Sequence, residues 1–106
     1  MNRSLIIARI APGTEAEVAR VFAASDATDL PRDIGVRERS LYSLGDLYVH
    51  LVEFDRDTED AMAVAQQLPG FRDISRQLDP FISAYDPQTW RSPKDAMARR
   101  FYHWQP

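Results

Sequence analysis

Three side chains in this 106-residue chain stand out chemically: Asp26, Arg39 and His50. An imidazole with an unperturbed pKa of about 6.5 suits proton transfer near neutrality. A guanidinium stays charged and offers several N–H donors, so it can polarise a carbonyl or stabilise an enolate oxygen. A carboxylate beside either group can orient it or act as a base. Each residue also has a plain structural reading. His50 could be a core histidine bonded to backbone or to a carboxylate, and Arg39 could form an interface ion pair with Asp26, Asp29 or Glu38. Asp26, expected just beyond a first helix, could simply cap a turn. Asp29, Arg32 and Arg37 read as solvated or structural, and His103 as a packing or subunit-contact residue.

Arg39 and His50 fall in residues 30–53, LPRDIGVRERSLYSLGDLYVHLVE, which read as a β-hairpin. Residues 36–43 and 47–54 are the strands, and Gly45-Asp46 suits a type II′ turn with glycine supplying the positive φ. That turn sets the register: Leu44 opposite Leu47, Ser43 opposite Tyr48, Tyr42 opposite Val49, Leu41 opposite His50 and Arg39 opposite Val52. Arg37, Arg39, Leu41, Ser43, Tyr48, His50 and Val52 then share one face. Arg39 and His50 become diagonal neighbours about 7–8 Å apart at the backbone, a gap long side chains bridge. A slip of one residue would put them on opposite faces.

The flanking segments supply the remaining elements. Residues 5–10 are a short, β-branched apolar run and read as a strand. Thr14 and Glu17 match a capping box, followed by Val18, Val21 and Phe22 at helical spacing, which predicts a helix to about Ala24. Residues 25–35 read as a polar loop. Residues 57–67 read as a second helix with Ala61, Val64, Ala65 and Leu68 on one side, stopped by Pro69-Gly70. Phe71, Ile74 and Leu78 mark a short helix, residues 81–85 a fourth strand, and Ser92 a cap for a turn with Pro93 at its first position. The end, RRFYHW, reads as extended. The aromatic residues, Phe22 through Trp104, are assigned to the core by default.

The order β-α-β-β-α-(α)-β predicts an α+β, ferredoxin-like arrangement with an antiparallel sheet. Helices cover one face of such a sheet. The expectation is that Leu41, Tyr48, Val52 and Phe54, with Arg39 and His50 among them, lie on the other face. An uncovered apolar face implies a ligand or a partner, such as a second copy packed sheet to sheet.

Composition narrows the function. One domain spanning residues 1–106 is expected, large enough for one core. Hydrophobic residues make up 44% of the chain, in the globular range. A net charge of −3 argues against nucleic-acid binding and against a polybasic membrane anchor. The absence of cysteine excludes disulfides and thiolate metal sites, and two histidines are too few for a multi-histidine centre in one subunit. No run approaches the ~18 apolar residues of a membrane span, and the N-terminus lacks a signal cleavage pattern. A soluble, cytoplasmic protein is expected. No phosphate loop, dinucleotide fingerprint, H-E-x-x-H or G-x-S-x-G occurs, so an enzyme built from this chain is expected to need no metal and no cofactor.

Two longer strings, DATDLPRDIGVRERSLYSLGDLYVHLVEFD and SPKDAMARRFYHW, resemble the tetracenomycin-type polyketide cyclases, small aromatase/cyclase proteins of bacterial type II polyketide pathways. The similarity runs over nearly the whole chain. It implies a dimeric α+β barrel of ferredoxin-like subunits that closes a ring of an aromatic polyketide intermediate by intramolecular aldol condensation and dehydration. By position, the family's polar pocket residues fall on Asp26, Arg39 and His50, with Tyr48, Leu41, Val52 and Phe22 as expected substrate contacts. One departure stands out: the family prototype has a histidine directly before the matched aspartate, where this chain has Ser25. Two other functions fit the same features: a cofactor-independent monooxygenase acting on anthrones, or a non-catalytic polyketide-binding protein.

Overall fold

A computed structural model describes residues 2–91 and 93–106. The chain runs β1 (Asn2–Ile10), α1 (Glu15–Asp26), α2 (Leu30–Ile34), β2 (Val36–Leu44), β3 (Leu47–Phe54), α3 (Thr58–Gln67), α4 (Pro69–Leu78) and β4 (Ile82–Ala84). A 3-10 turn, Pro93–Ala96, then leads to a two-residue strand, β5 (Met97–Ala98). The sheet is antiparallel in the order β2-β3-β1-β4, and β5 pairs with β1. This is the α+β, ferredoxin-like order expected from the sequence.

The hairpin has the predicted register from Arg39 opposite Val52 to Leu44 opposite Leu47. Gly45 has φ +59° and, among the described residues, no non-glycine residue has positive φ, as a type II′ turn requires. One irregularity lies at the start of β2. A shift between Val36 and Glu38 leaves Val36 opposite Phe54. Arg37 is therefore bulged out into solvent instead of joining the Arg39 face. Upstream, Gly35 takes φ +98° to end α2, and a Cβ there would overlap the Asp55 carboxylate. Its carbonyl accepts from the Asp55 amide at 2.8 Å. That left-handed step delivers the chain into β2.

The helices cover the face that carries Arg39, Tyr48, His50 and Val52, which corrects the expectation that this face lies open. Val18 and Phe22 of α1 and Ile74 of α4 pack on Ala8, Ile10 and Tyr48. Ala61 and Ala65 of α3, fully buried, pack on Ile34, Val52 and Phe54. The small alanine side chains let α3 sit close to the sheet. The open face instead carries the alternate residues, among them Leu5, Ile7, Tyr42, Leu44, Val49 and Leu51, as the pairing of Leu5 with Leu51 and Ile7 with Val49 shows. An uncovered apolar face does exist, but its residues are the opposite set. Both sets are apolar, so alternation alone did not say which one the helices would choose.

Other expectations change locally. The Thr14 side chain makes no cap bond to α1; with φ −104° and ψ 12° it turns back and donates to the Ala11 carbonyl at 2.6 Å. Helix α1 runs two residues past Ala24 and takes in Asp26. The expected polar loop contains α2, started by Pro31 near its first position. Pro69 stops α3 and also begins α4, where its missing N–H costs nothing. Strand β4 spans three residues, not five. The proposed Ser92 cap lies outside the described residues. Aromatic residues near the C-terminus are not core: Phe101 is 91% exposed, and Tyr85, Trp90, Tyr102 and Trp104 are also exposed. The tail beyond Ala98 has no regular structure, and His103 contacts Arg100. No described helix is long and apolar enough to cross a membrane.

Candidate active site

Arg39, His50 and Asp26 meet within one chain. Position follows from three elements. Arg39 projects from β2, and its diagonal neighbour His50 projects from β3 onto the same face. Phe22 and Asp26 lie four residues apart on α1, so they stack along one side of that helix. The two further residues of α1 that the sequence did not reveal are what bring Asp26 to Arg39.

The contacts are closely matched. Arg39 Nε donates to Asp26 Oδ2 at 3.1 Å and Nη2 donates to Oδ1 at 3.0 Å, a two-pronged ion pair. Arg39 Nη1 lies 3.0 Å from His50 Nε2. A guanidinium can only donate, so Nε2 accepts and the imidazole proton sits on Nδ1. Three of the five guanidinium N–H groups are thereby engaged, leaving one on each terminal nitrogen. The guanidinium carbon also lies 4.8 Å from the Phe22 ring centre, close enough for cation–π attraction. Phe22 and Tyr48 meet the His50 ring edge-on, with centroids 5.3 and 6.2 Å away. The Arg39 side chain is 16% exposed and that of Asp26 37%.

Burial and the Arg39 charge, in that order, push the His50 imidazole down to about 3. It is neutral across the physiological range. Burial also raises the Tyr48 phenol above its ordinary value, with Arg39 pulling weakly the other way. Tyr48 therefore stays protonated and can donate.

A cavity of about 540 Å³ lies between the sheet and helices α3 and α4, within the usual size of a small-molecule site. Arg39, His50, Tyr48, Val52 and Phe22 line it. Leu41 does not; it packs against the cluster around Val18 and Phe22. Asp26 does not line it either, so its carboxylate reaches the cavity only through Arg39. The wall is largely apolar, and residues not named as substrate contacts from the sequence complete it: Leu30, Met62, Phe71, Ser75, Trp90 and, beside Asp26, Ser25. Little in the sequence could have found these, because their common feature is a position around one void. Among the described residues, no three His, Asp or Glu side chains converge as a metal site would require.

The chain is similar to known proteins along nearly its whole length. Residues 2–105 match the family described as polyketide synthesis cyclase. Polyketide synthase CurG of Streptomyces cyaneus is 49% identical over 99% of this chain and 98% of its own length. Tetracenomycin F2 cyclase of Streptomyces glaucescens is 37% identical over 96% of this chain and 93% of its own. The solved structure of that cyclase, described as a type-II polyketide cyclase, superposes with a TM-score of 0.89 over 100% of this chain and 99% of its own, at 36% identity. SnoaB, a cofactor-independent oxygenase from Streptomyces nogalater, shares the fold with a TM-score of 0.58, covering 79% of this chain and 87% of its own at 24% identity. With the family match spanning almost every residue and these relatives aligned end to end, the chain belongs to the polyketide synthesis cyclases.

Proposed function

We propose that this chain, as one domain over residues 1–106, closes a ring of an aromatic type II polyketide intermediate by intramolecular aldol condensation followed by loss of water. The reading needs no metal and no cofactor. The observation that supports it best is a partly buried guanidinium, Arg39, held with two N–H bonds to spare at the wall of a largely apolar cavity. Such a cavity folds a poly-carbonyl chain so that a methylene carbon meets a target carbonyl, and orientation supplies much of the rate of an intramolecular reaction.

The spare Arg39 N–H groups stabilise the oxygen on which negative charge develops. Asp26 fixes the guanidinium plane and acts as a positioning residue. His50 in the empty site is a weak base because it is buried and, to a lesser degree, because Arg39 lies against its lone pair. When a substrate oxygen takes over the Arg39 Nη1 hydrogen bond, Nε2 is released to accept a methylene proton. The carbon nucleophile attacks the carbonyl carbon, and His50 returns that proton to the resulting alkoxide. A second C–H proton then leaves with the hydroxyl as water, forming the new double bond.

A homodimer formed through the open sheet face fits the exposure of Leu5, Tyr42 and Leu44 there, and a cytoplasmic location fits a pathway intermediate as substrate. The test is anaerobic incubation of the protein with a late aromatic polyketide intermediate, followed by mass spectrometry and NMR. A product lighter by one water, formed faster than in buffer, is expected. An oxygenated product appearing only in air would replace the cyclase with an oxygenase, and tight binding without reaction would replace it with a binding protein.

A further inference from the structure

The cavity has a second pole that the chemistry above does not use. Arg39 stands on β2, one edge of the four-stranded order, and β4 forms the other edge. Three inter-strand steps separate them, about 14 Å. At the β4 edge the cavity wall includes Asp79 and Trp90, both exposed, whereas Arg39 and His50 are partly and fully buried. The void therefore opens beside β4 and deepens toward Arg39. The opening falls where β4 has left β1 after Ala8 and β5 has yet to join it at Ile6.

Trp90 borders this opening and is 44% exposed. It is held by a built turn. The Asp86 carboxylate accepts from the Gln88 amide at 3.0 Å, and the Asp86 carbonyl accepts from the Thr89 and Trp90 amides at 3.2 and 3.0 Å. The root of the turn is tied to β1: Arg9 Nε donates to the Tyr85 carbonyl at 3.3 Å, and its guanidinium lies 4.7 Å from the Tyr85 ring centre. The Trp90 backbone is thus fixed at one wall of an apolar slot, and the residue keeps part of its surface bare. A planar fused-ring ligand would cover it.

We propose that Trp90 is a positioning residue: the substrate lies across the strands with its reacting carbonyl at Arg39 and its distal ring stacked on the Trp90 indole. The substrate class rests on the cyclase reading; the stacking site does not. Trp90 and Trp104 are the two tryptophans of the chain, and Trp104 lies in the exposed tail. Trp104→Phe therefore leaves Trp90 as the sole tryptophan, excited selectively over the four tyrosines at the red edge of the absorption band. Titrating this protein with a hydroxyanthraquinone should give saturable quenching at one site. By calorimetry, Trp90→Ala should bind the same probe about tenfold more weakly, with Trp90→Phe close to wild type. If the cyclase reading holds, Trp90→Ala should raise KM by a similar factor with kcat little changed. Saturable quenching without turnover would retire the cyclase reading and keep the stacking site. Unsaturable quenching, or equal affinity in Trp90→Ala and wild type, would overturn the proposal.

Discussion

The two faces of the sheet are made by the same strands and differ by one residue of offset, yet they have different chemistry. On the covered face, Tyr48, His50, Val52 and Phe54 are buried beneath helices, and a guanidinium is held among them by a carboxylate and an imidazole. On the open face, Leu44 is 79% exposed and Tyr42 and Leu5 also meet solvent. The Arg39 cluster sits where the apolar environment strengthens its interactions, and the bare apolar groups of the open face sit where a second surface could cover them. Substitutions on the covered face should therefore change stability and turnover, whereas those on the open face should change association.

The largest effect is expected at Phe22. It packs against the core, lies under the Arg39 guanidinium and meets the His50 ring. Phe22→Ala should lower unfolding free energy by about 3–5 kcal/mol, measured by urea titration. Arg39→Met comes next. It should lower turnover roughly 10²–10³-fold while circular dichroism and association state stay as in the parent; wild-type turnover would remove Arg39 from the mechanism.

The third prediction concerns pH. His50 is held at about 3 when folded against 6.5 for an unperturbed imidazole, so between those values the unfolded chain binds the extra proton. Its contribution to stability is complete above pH 6.5 and declines as pH falls toward 3, by about 1.4 kcal/mol per unit. Urea titrations between pH 6.5 and 5, above most carboxylate titration, should show that slope. His50→Gln keeps an acceptor for Arg39 and should flatten it. An unchanged slope would mean that other groups carry it.

The smallest change in fold stability is expected on the open face. Leu44→Glu should alter unfolding free energy by no more than about 0.5 kcal/mol. It should nonetheless weaken self-association in sedimentation or light scattering. If association is unaffected, the open face is not where two copies meet.

The hairpin was the most legible part of the chain. Gly45-Asp46 admits few turns, and a two-residue turn leaves no freedom in the pairing that follows, so the approach of Arg39 to His50 was readable in advance. Asp26 was less legible. Nothing in AASDAT marks whether a helix ends at Ala24 or Asp26, and two residues decide whether that carboxylate caps a turn or meets Arg39. The capping box failed for a related reason. T-x-x-E is compatible with a cap, but the turn after Ala11 sets backbone angles that send the Thr14 hydroxyl backwards.

By itself the sequence determined the main β-α-β-β-α-α-β order without α2 and β5, the hairpin register and the common face of Arg39, Tyr48, His50 and Val52, because these follow from hydrophobic periodicity, local turn geometry and the two-residue period of a strand. The tertiary structure alone decided which face the helices cover, that Arg37 is bulged out, that Asp26 completes the cluster from behind, and that Trp90 stands at the mouth of the cavity. Those outcomes depend on how elements far apart in the chain pack on one another. With apolar residues on both faces of the hairpin, no local pattern distinguishes the covered face from the open one.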